Sequence, residues 1–403
     1  MSNLPHRRRF LKLAAAGAAL GAQPYLVRGA YAQGGDPIML GALSPLSGSG
    51  AQYGPPMQQA IAAVVDEVNA AGGVLGRQIK LLREDCQTSP EAAVRAARKL
   101  IDVDKVVAII GVWSSPVTQA VAPLCWESKT VIACASGADN LTHLPHQGYL
   151  FRTQPTTTLQ GRKFGEFALA QGARKVVYLS PQTPFVQSMT ENMAKAMAAA
   201  GGSVTTLVYE DKKASYRTEI DKALAGKPDM LVLGGYVADT SVLVKDIYRA
   251  GYQGKMLSYA YTINKQLIDS VPKATVEGIF TIAPSPAADG TAYARLKKIV
   301  NSDSPDPYTA QAYDHADLVI MAMAQARAAS GAAIKDAIRK LSANGGERVD
   351  NAAAGVKILA GGGSVDYVGA SGPCRFTDIG DVAEASFRYE QVKDGKAVLL
   401  KIA

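Results

Sequence analysis

The chain has 403 residues, 48% of them hydrophobic and 19% charged, which is enough for a sizeable core and, by length, for two domains rather than one. Its formal charge of +8 is concentrated at the start: residues 1–32 hold Arg7, Arg8, Arg9, Lys12 and Arg28 and no acid, leaving 38 basic against 35 acidic residues in the remainder. That near-balance removes the compositional case for a nucleic-acid partner, and four irregularly spaced cysteines without a CxxC pair argue against a zinc site, a redox motif or a disulfide framework.

Taken in chain order, "HRRRFLKLAAAGAALGAQ" is a basic cluster followed by an alanine-rich apolar stretch, the pattern of a secretion signal. Arg7 and Arg8, followed by Phe10, Leu11 and Lys12, resemble the twin-arginine export pattern, with His6 where that pattern usually has Ser or Thr. Ala30-Tyr31-Ala32 fits a peptidase site, so residues 1–32 are expected to be removed and the mature chain to begin near Gln33 in the periplasm. The apolar segment is too short and too rich in Gly and Ala for a retained membrane span.

From residue 38 strands and helices alternate. "IMLGAL" reads as a strand, "MQQAIAAVVDEVNAAGG" as a helix stopped by Gly72 and Gly73, "RQIKLLRE" as a strand, "PEAAVRAARKLI" as a helix, "VVAIIGV" as a strand and "VTQAVAPL" as a helix, with "VIACAS" and "YLFRT" completing five strands. A second series follows "TQPTTTLQG": helix "RKFGEFALAQG", strand "KVVYLS", helix "SMTENMAKAMAAAGG", strands "SVTTLVYE" and "DMLVLGG", helix "DTSVLVKDIYRAG", and strands "KMLSYA" and "VEGIFTIA". Two later helices, "YTAQAYDHADLVIMAMAQARAASG" and "AIKDAIRKLS", match the style of the first unit. "AAAGVKILAGGGSVDYVGASG" reads as glycine-rich loop, and the tail as a hairpin around "KDG". The alternation predicts an α/β fold of parallel strands joined by crossover helices, in two Rossmann-like units.

Such sheets present ligands at the carboxyl ends of their strands. "IIGVWSSP" lies at one of these ends, where Ser115 before Pro116 reads as the N-cap of the following helix, and an N-terminus there would offer free N–H groups and a positive dipole end to a carboxylate. A nucleophile elbow needs G-x-S-x-G, which "GVWSSP" does not supply. His315 reads as a packed helix residue, and His143 and His146 as loop residues, so no hydrolase, metal site or cofactor is expected.

In order and spacing, "LGALSPLSGSGAQYG", "VNAAGGVLGRQIKLLREDCQTSPEAAVRAARKLI", "AIIGVWSSPVTQAVAP", "LFRTQPT", "LVLGGYVADTSVLVKDIYRAGY" and "YVGASGPCRFTDIGDV" resemble the type I periplasmic solute-binding proteins of branched-chain amino acid type that serve ABC importers. The resemblance implies two lobes that close on a ligand like a trap. They would be joined by three crossings near Thr153, Ala283 and Tyr367, with residues 33–153 and 284–366 in the first lobe and 154–283 and 367–403 in the second. It also implies partners, an ABC permease and its ATPase subunits in the inner membrane, a monomeric state and no chemistry on the solute. The alternative is a periplasmic receptor feeding a signalling protein.

Carried over residue by residue, the resemblance puts Tyr53, Trp113, Ser114, Ser115, Ala135, Ser136 and Gly137 on the first lobe's side of the ligand, and Phe185, Tyr236 and Ala260 on the second's. The alternative readings are a loop aromatic for Tyr53 and plain core for Tyr236. Gly137 stands where the family has threonine, Phe185 where tyrosine is common, and Ala260 where amino-acid binders place the glutamate that pairs with the α-ammonium. A desolvated ammonium without a partner is costly, so a cleft of this kind serves an α-amino acid only if Asp139 or Asp239 turns inward; their alternative readings are a solvated loop acid and a helix N-cap. The expected ligand is a small organic solute with a carboxylate or amide and an apolar or aromatic body, with a branched-chain amino acid as the alternative.

Overall fold

The computed structural model describes residues 35–342 and 345–403; the expected export signal lies outside the described residues. β1 (Ile38–Ser44), α1 (Gly54–Ala70), β2 (Ile79–Asp85), α2 (Pro90–Arg98), β3 (Ala108–Val112), α3 (Ser115–Glu127), β4 (Val131–Cys134) and β5 (Leu150–Arg152) alternate as predicted. Their strands pair in parallel in the order β2-β1-β3-β4-β5. β3 and β4 are buried at every position, as continuous apolar runs must be in a sheet covered on both faces.

The chain then forms α4 (Thr157–Ala170), β6 (Lys175–Ser180), α5 (Pro184–Ala198), β7 (Ser203–Val208), α6 (Arg217–Ala225), β8 (Met230–Leu233), α7 (Val237–Arg249), β9 (Lys255–Tyr259), α8 (Lys265–Ser270) and β10 (Phe280–Pro284). α6 is absent from the sequence reading, although Ile220 and Ala223 carry its buried side. After β10 come α9 (Thr291–Ile299), α10 (Pro307–Ala326), α11 (Gly331–Ala337), β11 (Glu347–Val349), α12 (Ala352–Ala360), β12 (Val365–Tyr367), β13 (Phe387–Lys393) and β14 (Lys396–Ile402). The second sheet has the order β14-β13-β10-β9-β8-β6-β7 and is parallel except for the terminal hairpin, which adds antiparallel to β10. Each sheet has its own buried clusters; α10, buried from Tyr308 to Ala324, belongs to the first.

Three local expectations are corrected. Residues 352–360, read as loop, are helical: the Asn351 side chain accepts from Ala354 N at 2.8 Å, and the glycine that weakened the pattern is a packing residue. A Cβ at Gly355 would lie 2.2 Å from Met321 Sδ on α10, so any larger residue would have to displace the Met321 side chain from this helix pair. The helix after β3 begins at Ser115 with Ser114 as its N-cap residue, so Ser115 is not the cap. Finally, the chain does not leave the first body near Tyr367. Tyr367, Ala370 and Cys374 pack in the first core, Asp381 still bonds there, and the chain joins the second sheet only at Phe387.

Arg152 explains this late departure. It is fully buried at the end of β5, and its guanidinium donates from Nε to Asp381 Oδ1 at 2.5 Å and from Nη1 to the Ala138 carbonyl at 2.7 Å. Thr142 Oγ1 donates to the other Asp381 oxygen at 2.7 Å, and backbone bonds join Arg152 to Gly380 and Val382. The segment after β12 is thereby tied to the strand through which the chain first leaves this body.

His315 on α10 is a packed core histidine, as read. Nδ1 accepts from Gly111 N at 3.4 Å and Nε2 pairs with Thr153 Oγ1 at 2.9 Å, an arrangement for the neutral ring only, since a proton on Nδ1 would face the Gly111 N–H. Burial holds its pKa down, from 6.5 to about 3. Below pH 6.5 the unfolded chain takes up a proton that the folded protein refuses, so this group's contribution to stability is lost as pH falls from about 6.5 toward about 3. Burial raises the pKa of Asp314 and Asp317 on the same helix, which acts in the opposite direction. The expected result is therefore a difference: urea melts at several pH values should show a shallower loss on acidification for His315→Gln than for the wild type.

Candidate functional site

In both sheets the strand order reverses beside the first strand of the unit, between β1 and β3 and between β6 and β8. The loops leaving adjacent strands diverge to opposite faces at such a point and open a crevice. The two crevices meet in one cavity lined by Trp113, Ser114 and Ser115 beyond β3, Ala135 and Gly137 beyond β4, Pro181 and Phe185 beyond β6, and Gly234 and Tyr236 beyond β8, with Gln154, Tyr261 and Tyr308 completing it. Its volume is about 480 Å³, mouth included, a size for a small solute.

Of the predicted site residues, Trp113, Ser114, Ser115, Ala135, Gly137, Phe185 and Tyr236 come together on this cavity. Three do not line it. Ser136 is buried behind it, bonded to Trp113 O at 2.9 Å and to Thr118 Oγ1 at 2.7 Å. Tyr53 stands behind Trp113, ring centroids 5.1 Å apart, and its hydroxyl donates to the Tyr261 carbonyl at 2.5 Å. Ala260 is displaced by one residue, and its neighbour Tyr261 takes the cavity position. Tyr261, Tyr308 and Gln154 are absent from the sequence reading. Tyr308 follows Pro307 at the start of α10 and sits edge-on to Trp113 at 5.6 Å. Gln154, next to Pro155, accepts from Gln311 Nε2 at 2.7 Å; a polar residue beside the proline of a chain crossing was the available signal.

Among the helices that start at the cavity, α3, α5 and α7 differ in how their first turns are satisfied. α5 is capped by its own Thr183, whose Oγ1 accepts from Val186 N at 3.1 Å. The N-cap residues of α3 and α7, Ser114 and Tyr236, make no such bond. The first intrahelical bonds there run from Thr118 N to Ser114 O and from Thr240 N to Tyr236 O, so the preceding N–H groups are left for another partner. Ser115 Oγ is used within the protein, accepting from Ala138 N at 3.2 Å, whereas Ser114 Oγ is buried with no partner among the described residues. A buried hydroxyl left unbonded beside a helix N-terminus is a vacant contact for an oxygen-bearing group.

Among the described residues, no charged side chain lines the cavity. Neither aspartate turns inward. Asp239 lies in the first turn of α7, not at its N-cap, and accepts from Lys212 N at 2.9 Å and the Tyr216 hydroxyl at 3.1 Å. Asp139 accepts from Thr158 N at 2.9 Å and from Asn192 Nδ2 at 2.6 Å, joining the first body to α4 and α5 outside the cavity. On the Tyr53 side, Asn264 donates to Gln52 at 2.8 Å. Burial pushes the Tyr236 hydroxyl up to about 12 and that of Tyr261 well above its usual range, so both remain neutral donors.

The profile of the family described as "Periplasmic binding protein" matches residues 37–360. The chain belongs to this family. Within it, the chain is similar to proteins named for branched-chain amino acids, and the family's role is ligand binding. It is 26% identical over 284 residues to the Leu/Ile/Val-binding protein homolog 2 of Brucella abortus, covering 68% of this chain and 75% of the relative. It is 24% identical over 357 residues to the chemotactic signal transduction system substrate-binding protein BasB of Halobacterium salinarum, covering 84% and 83%. The fold is that of the leucine-binding protein LivK from Thermotoga maritima, with a TM-score of 0.77, 21% identity, and 91% of this chain and 98% of that one aligned. No helix among the described residues is long and apolar enough to cross a membrane.

Proposed function

We propose that this protein is the extracytoplasmic substrate-binding component of an ABC importer, and that it captures a small organic solute bearing a carboxylate or amide between its two bodies and delivers it to a membrane permease. The two bodies act as lobes that rotate about the chain crossings at residues 153–156, 284–287 and 383–386. Export through the twin-arginine-type signal at residues 1–32 places it in the periplasm, where it works as a monomer without altering the solute. The observation that carries this reading is the unpartnered Ser114 Oγ at the uncapped start of α3, facing an aromatic cavity without charged side chains. Anions are stabilised at such a terminus by free N–H groups and the helix dipole, together worth about 0.3–2 kcal/mol. A solute that also touches Tyr236 and Phe185 favours the closed arrangement, because only closure lets it contact both lobes.

Ser114→Ala tests this directly. Removing a hydroxyl that has no partner in the free protein should leave the melting temperature unchanged or slightly raised. Calorimetric titration should show solute affinity reduced about tenfold, the worth of one hydrogen bond to a charged group. Equal affinity in wild type and variant overturns the proposed site. The BasB relative favours a second reading, a receptor feeding a signalling protein. Uptake of labelled solute by vesicles holding the cognate permease supports import, and solute-dependent capture of a membrane sensor in its place supports signalling.

A further inference from the structure

Gly137 and Phe185, the two positions that depart from the family's threonine and tyrosine, are one steric event. A Cβ built at Gly137 would lie 2.9 Å from Phe185 Cε2 and 2.7 Å from Gln160 Nε2. The backbone of Gly137 is not in the left-handed region, so the glycine answers to space and not to conformation. The Phe185 ring, on α5 of the second body, fills the volume that a side chain on the first body would need.

From Phe185 an aromatic wall runs to Tyr259, 5.5 Å away between centroids, and on to Tyr261, which stacks on Tyr259 at 4.9 Å and 18°. Trp113 and Tyr308 border the cavity from the first body. In this cage the Gln154 amide is engaged with Gln311 and Gln160, and the Tyr308 phenol faces Trp113. Its other polar groups include the Ser114 hydroxyl, the uncapped starts of α3 and α7, and the phenols of Tyr236 and Tyr261, for neither of which there is a hydrogen-bond partner among the described residues. These can donate to a carboxylate. For an ammonium there is no anion: Asp139 and Asp239 are engaged as described, and Asp306 accepts from Tyr308 N, Thr309 N and Thr309 Oγ1.

Resting on the solute-capture reading above, we propose that the cavity selects flat aryl monocarboxylates that lack an amino group, and that Gly137 and Phe185 are the matched pair that sets this preference. The carboxylate sits at the start of α3, and the ring lies among Phe185, Trp113, Tyr236 and Tyr261. Phenylalanine shares ring and carboxylate but brings an ammonium that the cage would have to desolvate without a partner.

The test is calorimetric titration of the mature protein with benzoate, cyclohexanecarboxylate, phenylalanine and leucine. Benzoate is expected to bind at least tenfold more tightly than cyclohexanecarboxylate and at least a hundredfold more tightly than either amino acid. Phe185→Ala should erase the preference for benzoate over cyclohexanecarboxylate. Gly137→Ala should weaken benzoate at least tenfold in the wild type, and that penalty should shrink at least threefold when Phe185→Ala is already present; equal penalties in both backgrounds overturn the pairing. Tight leucine or phenylalanine binding with benzoate silent overturns the substrate class while leaving solute capture standing. Silence across all four probes and across a broader metabolite panel, in a protein whose melting curve shows it folded, overturns both.

Discussion

Asp381→Ala should cost about 3–5 kcal/mol of unfolding free energy, a large stability loss for a single change outside the cavity. The reason is what the change leaves behind. Arg152 is wholly buried, and without Asp381 its guanidinium keeps only the Ala138 carbonyl and the Thr142 hydroxyl as partners, neither of which carries charge. A guanidinium cannot escape by losing its proton, so the desolvation cost is borne in full. Urea denaturation should show the loss as a lower midpoint with little change in slope. Replacing both partners by apolar residues of similar size, Arg152→Met with Asp381→Leu, should recover much of it, because no charge then remains buried. A loss below about 1 kcal/mol for Asp381→Ala would show that the clamp does not hold the crossing segments together.

Trp113→Ala is the change expected to damage binding most. The indole is 6% exposed and touches rings from both bodies: Tyr53 at 5.1 Å and Tyr308 at 5.6 Å on its own side, Tyr236 and Tyr261 at 6.0 Å across the cavity. The loop before α1 lies against it so closely that a Cβ at Gly50 would come within 2.6 Å of Cζ3. Truncation should cost about 3–5 kcal/mol of stability by opening a void among these rings. It should also cost at least about 2 kcal/mol of binding, a factor of roughly thirty in Kd, as for other buried aromatic anchors. Melting curves and titrations on the same preparation separate the two effects. If affinity survives while stability falls, Trp113 is core and the solute lies elsewhere.

Much of this architecture is legible in the sequence because parallel strands buried on both faces must be short apolar runs, and crossover helices must carry an apolar stripe at helical spacing. The same logic explains the failures. Gly355 and the glycines after it hid α12, since a glycine that allows two helices to approach looks, in sequence, like one that breaks them. The late crossing at residues 383–386 depends on Arg152 and Asp381, a pair separated by 229 positions that no local pattern can join. At the site, loops with distinctive residues such as "GVWSSP" and "GGY" were legible, whereas Tyr308 was not, because its place beside Trp113 follows from the chain's return to the first body. The exchange of Ala260 for Tyr261 is an error of one position just beyond a strand, where one step turns a side chain to the other face.

The bonds that Asp139 makes to Thr158 and Asn192, and that Tyr53 makes to the Tyr261 carbonyl, join the two bodies without using the unpartnered groups of the cavity. They hold the two bodies together by contacts of their own, so this attachment can be tuned without altering what the cavity presents to a solute. In the proposed role, grip could thus be matched to scarce or abundant solute by editing a few peripheral polar residues, leaving discrimination untouched.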